Sequence, residues 1–403
     1  MSGPLSLREA RHLIIDACTT LDVQELPLAD ALGMVAAQDV TAVVSHPPHA
    51  LAAMDGYAVR NADCALGSCL EIIGESRAGA PFDGSIAEGK ATLISTGAHI
   101  PDGADRVLIL EDGERSANTV RVTDEQSDAR HIRHEGIDFS YGDILVHSGT
   151  RLTPAALALT AAAGLGTVAV QRRPRVAVLT NGDELLDPGT SPAGPTVYDS
   201  NSIALPAQFT AFGAEAHWIG RAGDRQDQVK TMLARGANAD LLVIAGGASV
   251  GPHDLVKGAF AALGGTIVFS KVALKPGKPV WFGKLSSGTH VLGLPGNPAS
   301  SYVTAELFGR LVIQCLTGTP PALDVTDTFR PALVSENLPA NGPRDTFQRA
   351  VLSLRADGTT AIAQTGSQDS SLLRPLAAAN ALLFRNANAP AIQAGALVSY
   401  LPL

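Results

Sequence analysis

The chain has 403 residues, a formal net charge of −9 and a pI near 5.6. At roughly 100–200 residues per domain that length implies about two to four domains. The acidic balance and the lack of any basic cluster exclude nucleic acid as a partner. Hydrophobic residues make up 45%, and the 25 prolines and 40 glycines fall between apolar runs. Such punctuation marks turns rather than low complexity. Cys18, Cys64, Cys69 and Cys315 are scattered and lack a histidine partner set, so they read as ordinary thiols of a reducing, cytoplasmic protein. The N-terminus shows no basic-then-apolar signal pattern.

Along the chain, Ser6 and Glu9 form a capping-box pattern before Leu7, Ala10, Leu13, Ile14 and Ala17, which repeat at helical spacing. From about Leu70 to Val146, short apolar runs alternate with Gly, Asp and Ser clusters, the pattern of a β-rich module. Leu152–Val170 is uncharged over 19 residues, close to a membrane span. It is mostly Ala and Thr, however, and Thr153, Pro154 and Gly164 frame a short helix, so no membrane is expected.

At Arg173-Pro174-Arg175 the pattern changes to strand–helix alternation. Strands are expected at Val176–Leu179, Glu215–Ile219, Leu241–Ala245, Pro279–Phe282 and Val291–Leu294, with helices at 201–212, 225–235, 254–263 and 298–316. This describes a doubly wound, mostly parallel sheet. After Thr319-Pro320-Pro321 the runs flanking Asp357-Gly358 predict a hairpin in a small all-β, barrel-like C-terminal domain. The fold class is multidomain α/β plus β, with helical and β-rich N-terminal modules.

In an open α/β sheet, ligands bind beyond the carboxyl ends of the strands. The segments there are Asn181-Gly182-Asp183-Glu184, Gly223-Asp224, Gly246–Asp254 (GGASVGPHD) and Pro295-Gly296-Asn297-Pro298. Three of the four carry carboxylates. Taken singly, Asp224 and Asp254 read as helix caps, Asp183-Glu184 as a solvated turn, and Lys275 or Lys278 as a surface lysine. Together they read as a site. Clustered carboxylates need a cation, and oxygen ligands suit Mg²⁺ shared with a phosphate. Glycine-rich loops free backbone N–H groups for anions, and Asn297-Pro298 opens a helix at the same edge. His253 is a weaker candidate contact. His131 and His134 fit a solvated loop better than a metal site. No GxGxxG follows the first strand, which disfavours a dinucleotide.

These residues resemble the molybdopterin molybdenumtransferase family, the bacterial MoeA proteins and the gephyrin E-domain. The resemblance runs through Met54–Arg60 (MDGYAVR), Thr96-Gly97-Ala98 with Pro101–Asp105 (PDGAD), and Gly136-Ile137-Asp138 with Gly142-Asp143. It continues through Asn181–Leu185 (NGDEL), Tyr198–Asn201 (YDSN), Gly246–Gly251 with Asp254, Lys275–Pro279 (KPGKP) and Leu294–Pro298 (LPGNP).

It implies a four-part subunit that dimerises, divided as follows: 1–50 with 146–172 as a linker and dimerisation module, 51–145 as a β-rich insert, 173–318 as the catalytic molybdopterin-binding domain, and 319–403 as a C-terminal β domain. It implies insertion of molybdate, as substrate, into adenylylated molybdopterin with Mg²⁺-dependent release of AMP. By motif it assigns Asp55, Asp183, Glu184, Asp224 and Asp254 as catalytic acids, with Glu184, Asp224 and Asp254 as metal ligands. Thr96, Gly247, Ser249, Gly251, Lys275, Lys278, Pro295, Asn297 and Pro298 match substrate-binding positions. By the same analogy Asp55 reaches the cleft from the other subunit of a homodimer. Contacts with the molybdopterin adenylyltransferase and with molybdoenzyme chaperones are also implied.

The departures are Asn181 for the usual Thr, Ala248 for Val and Ile137 for Glu. The last removes an acid from that spot. The alternatives are a molybdopterin adenylyltransferase, which is usually a short stand-alone chain, and a non-catalytic carrier or scaffold.

Overall fold

The computed structural model describes residues 3–192, 194–247, 255–322 and 324–403. The chain packs as two compact units, one of Met1–Gln24, Gly33–Ala37 and Gln171–Leu403, the other of Glu25–Leu32 and Gln38–Val170.

The first unit begins with α1, Leu7–Ala17. Its capping box is complete: Glu9 N–H donates to Ser6 Oγ at 3.2 Å, and Ser6 N–H donates to the Glu9 carboxylate at 2.8 Å. Leu7, Ala10 and Ile14 bury one face of the helix in the main core. Arg11 is buried among them and donates to the carbonyls of Leu307 (2.8 Å) and Ala322 (3.0 Å), which satisfies its terminal N–H groups in part by main chain.

The central sheet has six strands: β1 Arg175–Asn181, β2 Glu215–Ala222, β3 Leu241–Ala245, β4 Thr266–Ser270, β5 Trp281–Lys284 and β6 His290–Leu294. Their spatial order is β2-β1-β3-β6-β5-β4. The first four are parallel, and β5 and β4 add on antiparallel. The expectation of a mostly parallel, doubly wound sheet holds. The β5–β6 pair departs from it for a simple reason: only Leu285–Thr289 joins these strands, too short for a parallel crossover. Strand β4 escaped the sequence reading because Phe269 is its one fully buried side chain, which leaves no periodicity to detect.

Helices α2 Asn201–Ala211, α3 Gln226–Gly236, α4 Leu255–Ala262, α5 Pro298–Thr304 and α6 Arg310–Leu316 cover the two faces. One face packs a core with α1, α2, α5 and α6, the other with α3 and α4. Burial on both faces accounts for the unbroken apolar run of β3, Leu241–Ala245. The single helix expected over 298–316 is interrupted by a π turn at Ala305–Gly309, where a Cβ on Gly309 would lie 2.6 Å from the Phe209 ring.

Beyond it, β7 Arg330–Val334, β8 Asp345–Leu354, β9 Thr360–Gln364, β10 Ala381–Arg385 and β11 Leu397–Pro402 form a sheet joined by the two residues Leu274–Lys275. Strand β8 pairs with both β9 and β10, which closes the sheet into a small barrel. The β8–β9 hairpin turns at Asp357-Gly358, with Gly358 at φ +82°.

The second unit holds a six-stranded sheet ordered Arg106–Ile109, Gly56–Val59, Lys90–Ile94, Cys69–Ser76, Thr119–Val122 and Gly113–Ser116. Its helix Pro154–Ala162 starts as expected, with Ala156 N–H donating to Thr153 Oγ1 at 3.2 Å, and Gly164 follows at φ +90°. Among the described residues no helix is long and apolar enough to cross a membrane.

The first residue of β6 has a measurable consequence. Burial, with help from Lys284, pushes His290 down to about 4 from its ordinary 6.5. The folded state therefore holds a neutral ring where the unfolded chain takes up a proton. Its contribution is full above pH 6.5 and is lost as the pH falls toward 4. Urea denaturation at pH 7 and pH 4.5 should show a loss of stability that is smaller by ~2–3 kcal/mol in His290→Leu than in the wild type. Equal losses in the two proteins would show that His290 is not the group involved.

Candidate active-site cleft

The strand order 2-1-3 makes the gap between β1 and β3 a topological switch point, the place where such sheets bind ligands. The carboxyl ends there are held unusually close. A Cβ on Gly246 would stand 2.4 Å from the Asn181 carbonyl oxygen, and Gly246 sits at φ +98°. Gly246 N–H donates to the Leu294 carbonyl at 3.2 Å, and a Cβ on Gly296 would reach Gly246 Cα at 3.4 Å. The ends of β1, β3 and β6 therefore meet backbone to backbone. Gly247, at φ +64°, would clash with Val256 at 2.2 Å if it carried a Cβ.

On this rim the acids from β1 and β2 come together. Asp224 N–H donates to Asp183 Oδ1 at 3.2 Å, and Asn181 Nδ2 donates to Asp224 Oδ1 at 3.0 Å. Gly223 N–H is held by Gln228 Oε1 at 3.1 Å. Both carboxylates are exposed while Asn181 is buried, and its Oδ1 has no hydrogen-bond partner among the described residues. Glu184 is exposed and folds back over Gly182, whose added Cβ would lie 2.5 Å from a Glu184 carboxylate oxygen. Ser249, Gly251, His253 and Asp254 lie outside the described residues. Among the described residues no three His, Cys, Asp or Glu side chains converge on a metal position. The donors present, two carboxylates and an orphaned amide oxygen, are all oxygen. That set fits Mg²⁺, which keeps several waters and takes few protein ligands.

Next to this rim lies a cleft of about 680 Å³, shared by the α/β sheet and the C-terminal barrel. Lys275, Lys278, Pro295 and Asn297 line it. The lysine turn is pinned by main chain: Val280 N–H donates to the Gly277 carbonyl and Val272 N–H to the Lys278 carbonyl, both at 3.0 Å. Gly277 sits at φ +116°, and a Cβ there would meet Thr304 at 2.3 Å. Pro298 opens α5 beside the cleft.

Asn297 occupies the N-cap position of α5 but does not cap it with its side chain. Its Nδ2 donates instead to Ser370 Oγ of the barrel at 2.8 Å, and Ala299 N–H donates to the Ser370 carbonyl at 3.0 Å. A helix N–H that the sequence reading reserved for an anion is thus already spent on the barrel.

The barrel side of the cleft was missed. Arg344, Gln348, Arg349 and the Ser367–Ser370 loop line it. Arg349, on β8, is 3% exposed and donates to Gln368 Oε1 and to the carbonyls of Leu372, Ser367 and Asp369 at 2.9–3.3 Å. Burial holds its guanidinium below the usual range. It organises the loop that meets Asn297. The available signal was an arginine inside an alternating apolar strand, Phe347–Val351, which is costly unless it has partners. Arg344 donates only to the Leu274 carbonyl, at 3.3 Å, among the described residues.

In the second unit, Asp55 and Thr96 are brought together: Thr96 N–H donates to Asp55 Oδ1 at 2.6 Å. That bond, followed by the Thr96 hydroxyl, holds the Asp55 carboxyl below the usual range. The next residue must be glycine, because a Cβ at Gly56 would lie 2.0 Å from the Leu108 carbonyl oxygen.

Residues 5–164 match the model of the MoeA N-terminal region (domain I and II), 177–314 that of a probable molybdopterin binding domain, and 331–403 that of the MoeA C-terminal region (domain IV). A molybdopterin molybdenumtransferase 2 of Mycobacterium tuberculosis is 34% identical over 392 residues, 94% of each chain. The chain belongs to the MoeA family. A molybdopterin molybdenumtransferase of Haemophilus influenzae is 30% identical, covering 99% of this chain and 98% of its own. A crystal structure of a molybdopterin biosynthesis MoeA protein from Pyrococcus horikoshii superposes with a TM-score of 0.83, at 27% identity and 99% coverage of both chains. The expected multidomain fold, the role in molybdenum cofactor biosynthesis and the molybdenumtransferase class of enzyme hold for this MoeA chain.

Replacing Arg349 by Met should loosen the 367–372 loop while the β8 ladder persists. Amide hydrogen exchange at Ser371 and Leu372, whose N–H groups donate to Asp369, should rise at least tenfold, with exchange in β8 unchanged. Unchanged loop protection would remove Arg349 from this role.

Proposed function

We propose that this MoeA-family protein inserts molybdate into adenylylated molybdopterin and releases AMP in a Mg²⁺-dependent reaction. The observation that carries the reading is the single rim that joins the Asp183–Asp224–Asn181 cluster, through Gly246 and Gly296, to the cleft of Lys275, Lys278 and Arg344. One end of it suits a hard cation and the other suits oxyanions, which is what a phosphate-bearing substrate and a molybdate together require.

Asp183, Asp224 and the Asn181 amide oxygen would hold Mg²⁺, with Glu184 and Asp254 as further acids. When bound, Mg²⁺ neutralises phosphate charge as AMP departs. Lys275 and Lys278 place two cations on a rigid turn, so little ordering entropy is spent when they meet an oxyanion. Arg344 adds a third from the barrel. Gly247, with Ser249 and Gly251, would give the pyrophosphate or molybdate backbone N–H groups. Pro295, Asn297 and Pro298 shape the cleft wall. The dithiolene would bind molybdate through both sulfurs, one oxo group leaving as water with the two thiol protons, and a water would cleave the phosphoanhydride bond to release AMP. The same reading keeps Asp55 and Thr96 as substrate-side residues supplied across a homodimer, working in the cytoplasm.

With adenylylated molybdopterin, molybdate and Mg²⁺, the purified protein should release AMP. Asp224→Asn and Lys278→Ala should each cut that rate by roughly 10²-fold or more, with unchanged circular dichroism. Binding without AMP release would indicate a carrier, and consumption of ATP an adenylyltransferase. Either outcome sinks the proposal.

A second measurement addresses the shared site. Mixing inactive Asp55→Asn with inactive Asp224→Asn under subunit exchange should restore up to about a quarter of wild-type activity, because heterodimers retain one intact cleft. No recovery would place both acids in one subunit's site or outside the mechanism.

A further inference from the structure

At the opposite edge of the central sheet, where the parallel strands begin, lies a second cleft of about 360 Å³. It is walled by the start of β1 (Arg175), the α3–β3 loop (Asn238, Asp240) and the β5–β6 hairpin (Lys284, His290). No reading of the active-site rim uses it.

Its charge is unbalanced. Asp240 is the one acid lining it among the described residues, and that carboxylate is saturated: Arg172 donates to both oxygens at 2.7 Å, and Arg175 N–H donates to Oδ2 at 2.7 Å. Burial alone would raise Asp240, but these arginine contacts outweigh it and hold the group below the usual carboxylate range. The Arg175 side chain lies 3.6 Å from the same carboxylate through Nε and is 59% exposed, so its outer N–H groups remain available. Lys284 has no carboxylate within ion-pair distance among the described residues. Asp22, near Arg172 at 3.8 Å, is 95% exposed and does not line the cleft.

The polar inventory points the same way. Lys284 and His290 face each other across the β5–β6 ladder. His290 is 4% exposed and its Nδ1 is enclosed without a hydrogen-bond partner, so the ring's bonding capacity rests on Nε2. The nearby hydroxyls are already used: Thr289 Oγ1 donates to the Ala237 carbonyl at 2.5 Å, and Ser287 Oγ donates to Thr289 Oγ1 at 3.1 Å. They pin the hairpin to the α3–β3 loop and keep the cleft open. What is left over is led by two cations, the Lys284 ammonium and the outer Arg175 guanidinium, with the Asn238 amide beside them. An occupant must bring negative charge and acceptor oxygens, and be small.

We propose that this cleft binds a compact oxyanion, the phosphate or carboxylate group of a small molecule, independently of the catalytic cleft. The test uses the full-length chain in a Lys278→Ala background, which mutes anion binding at the catalytic cleft. Inorganic phosphate and malonate are titrated separately by calorimetry. At least one should bind, and the tighter one identifies the group. Adding Lys284→Gln should weaken binding roughly tenfold or more, and Lys284→Arg should restore it.

In the otherwise native protein, Lys284→Gln should leave AMP release unchanged. The proposal is overturned if neither anion binds, or if Lys284→Gln binds as tightly as its parent. Because the titration does not depend on turnover, an absence of AMP release would count against the molybdenum-insertion reading alone.

Discussion

The contact on which the site depends is main chain against main chain. Gly246 presses on the Asn181 carbonyl and leaves no room for a side chain there, and Gly296 lies close against Gly246, so three strand ends meet. Steric exclusion of this kind is not negotiable: a Cβ 2.4 Å from a carbonyl oxygen requires the strands to move apart. Because the strands are parallel, bringing their ends together also brings together whatever follows them. The Gly246-Gly247 turn and the Pro295–Pro298 turn are set beside the end of β1 by that approach, and the parallel β1–β2 pairing sets Asp224 beside Asp183.

The second half of the site is built by a different kind of interaction. The barrel does not merely pack on the α/β sheet; it fills the hydrogen-bonding needs of the sheet's exit turn. Ser370 receives the Asn297 amide and, through its carbonyl, the Ala299 N–H. Behind Ser370 stands Arg349, a buried cation whose N–H groups are solvated by carbonyl oxygens, with the charge of Asp369 nearby but no ion pair formed. A paired acid would have cancelled its charge. The arrangement leaves the wall shared by Lys275, Lys278 and Arg344 strongly positive, as an oxyanion cleft needs.

Strands β1, β3 and β6 were legible because each is short, apolar on both faces and closed by a glycine or proline turn. Burial on two faces removes alternation, and strand ends are marked by residues that cannot continue a ladder. Strand β4 lacked that signature, with Phe269 alone deeply buried, and the π turn at Ala305–Gly309 follows from a contact with Phe209 about a hundred residues away. Of the candidate site, Lys275, Lys278, Pro295 and Asn297 fall in one cleft and Asp183 meets Asp224, while Arg344, Arg349 and Ser370 went unread. They lie in a domain whose own pattern says only that it is a barrel.

The sequence by itself determined most of the strands of the central sheet, the turns that end them, and which acids, glycines and lysines sit at those turns. These are local properties, set by backbone conformation and burial within a few residues. The tertiary structure decided what a local pattern cannot carry. It turned Asn297 toward Ser370 instead of toward its own helix, because the neighbouring barrel offers its Nδ2 an acceptor where the helix N-terminus offers only N–H donors. It left the Asn181 amide oxygen buried and without a partner among the described residues. It also gathered Arg175, Lys284 and His290, which are scattered over more than a hundred residues, at the far edge of the sheet. Long-range pairing brings such groups together, and no spacing along the chain encodes it.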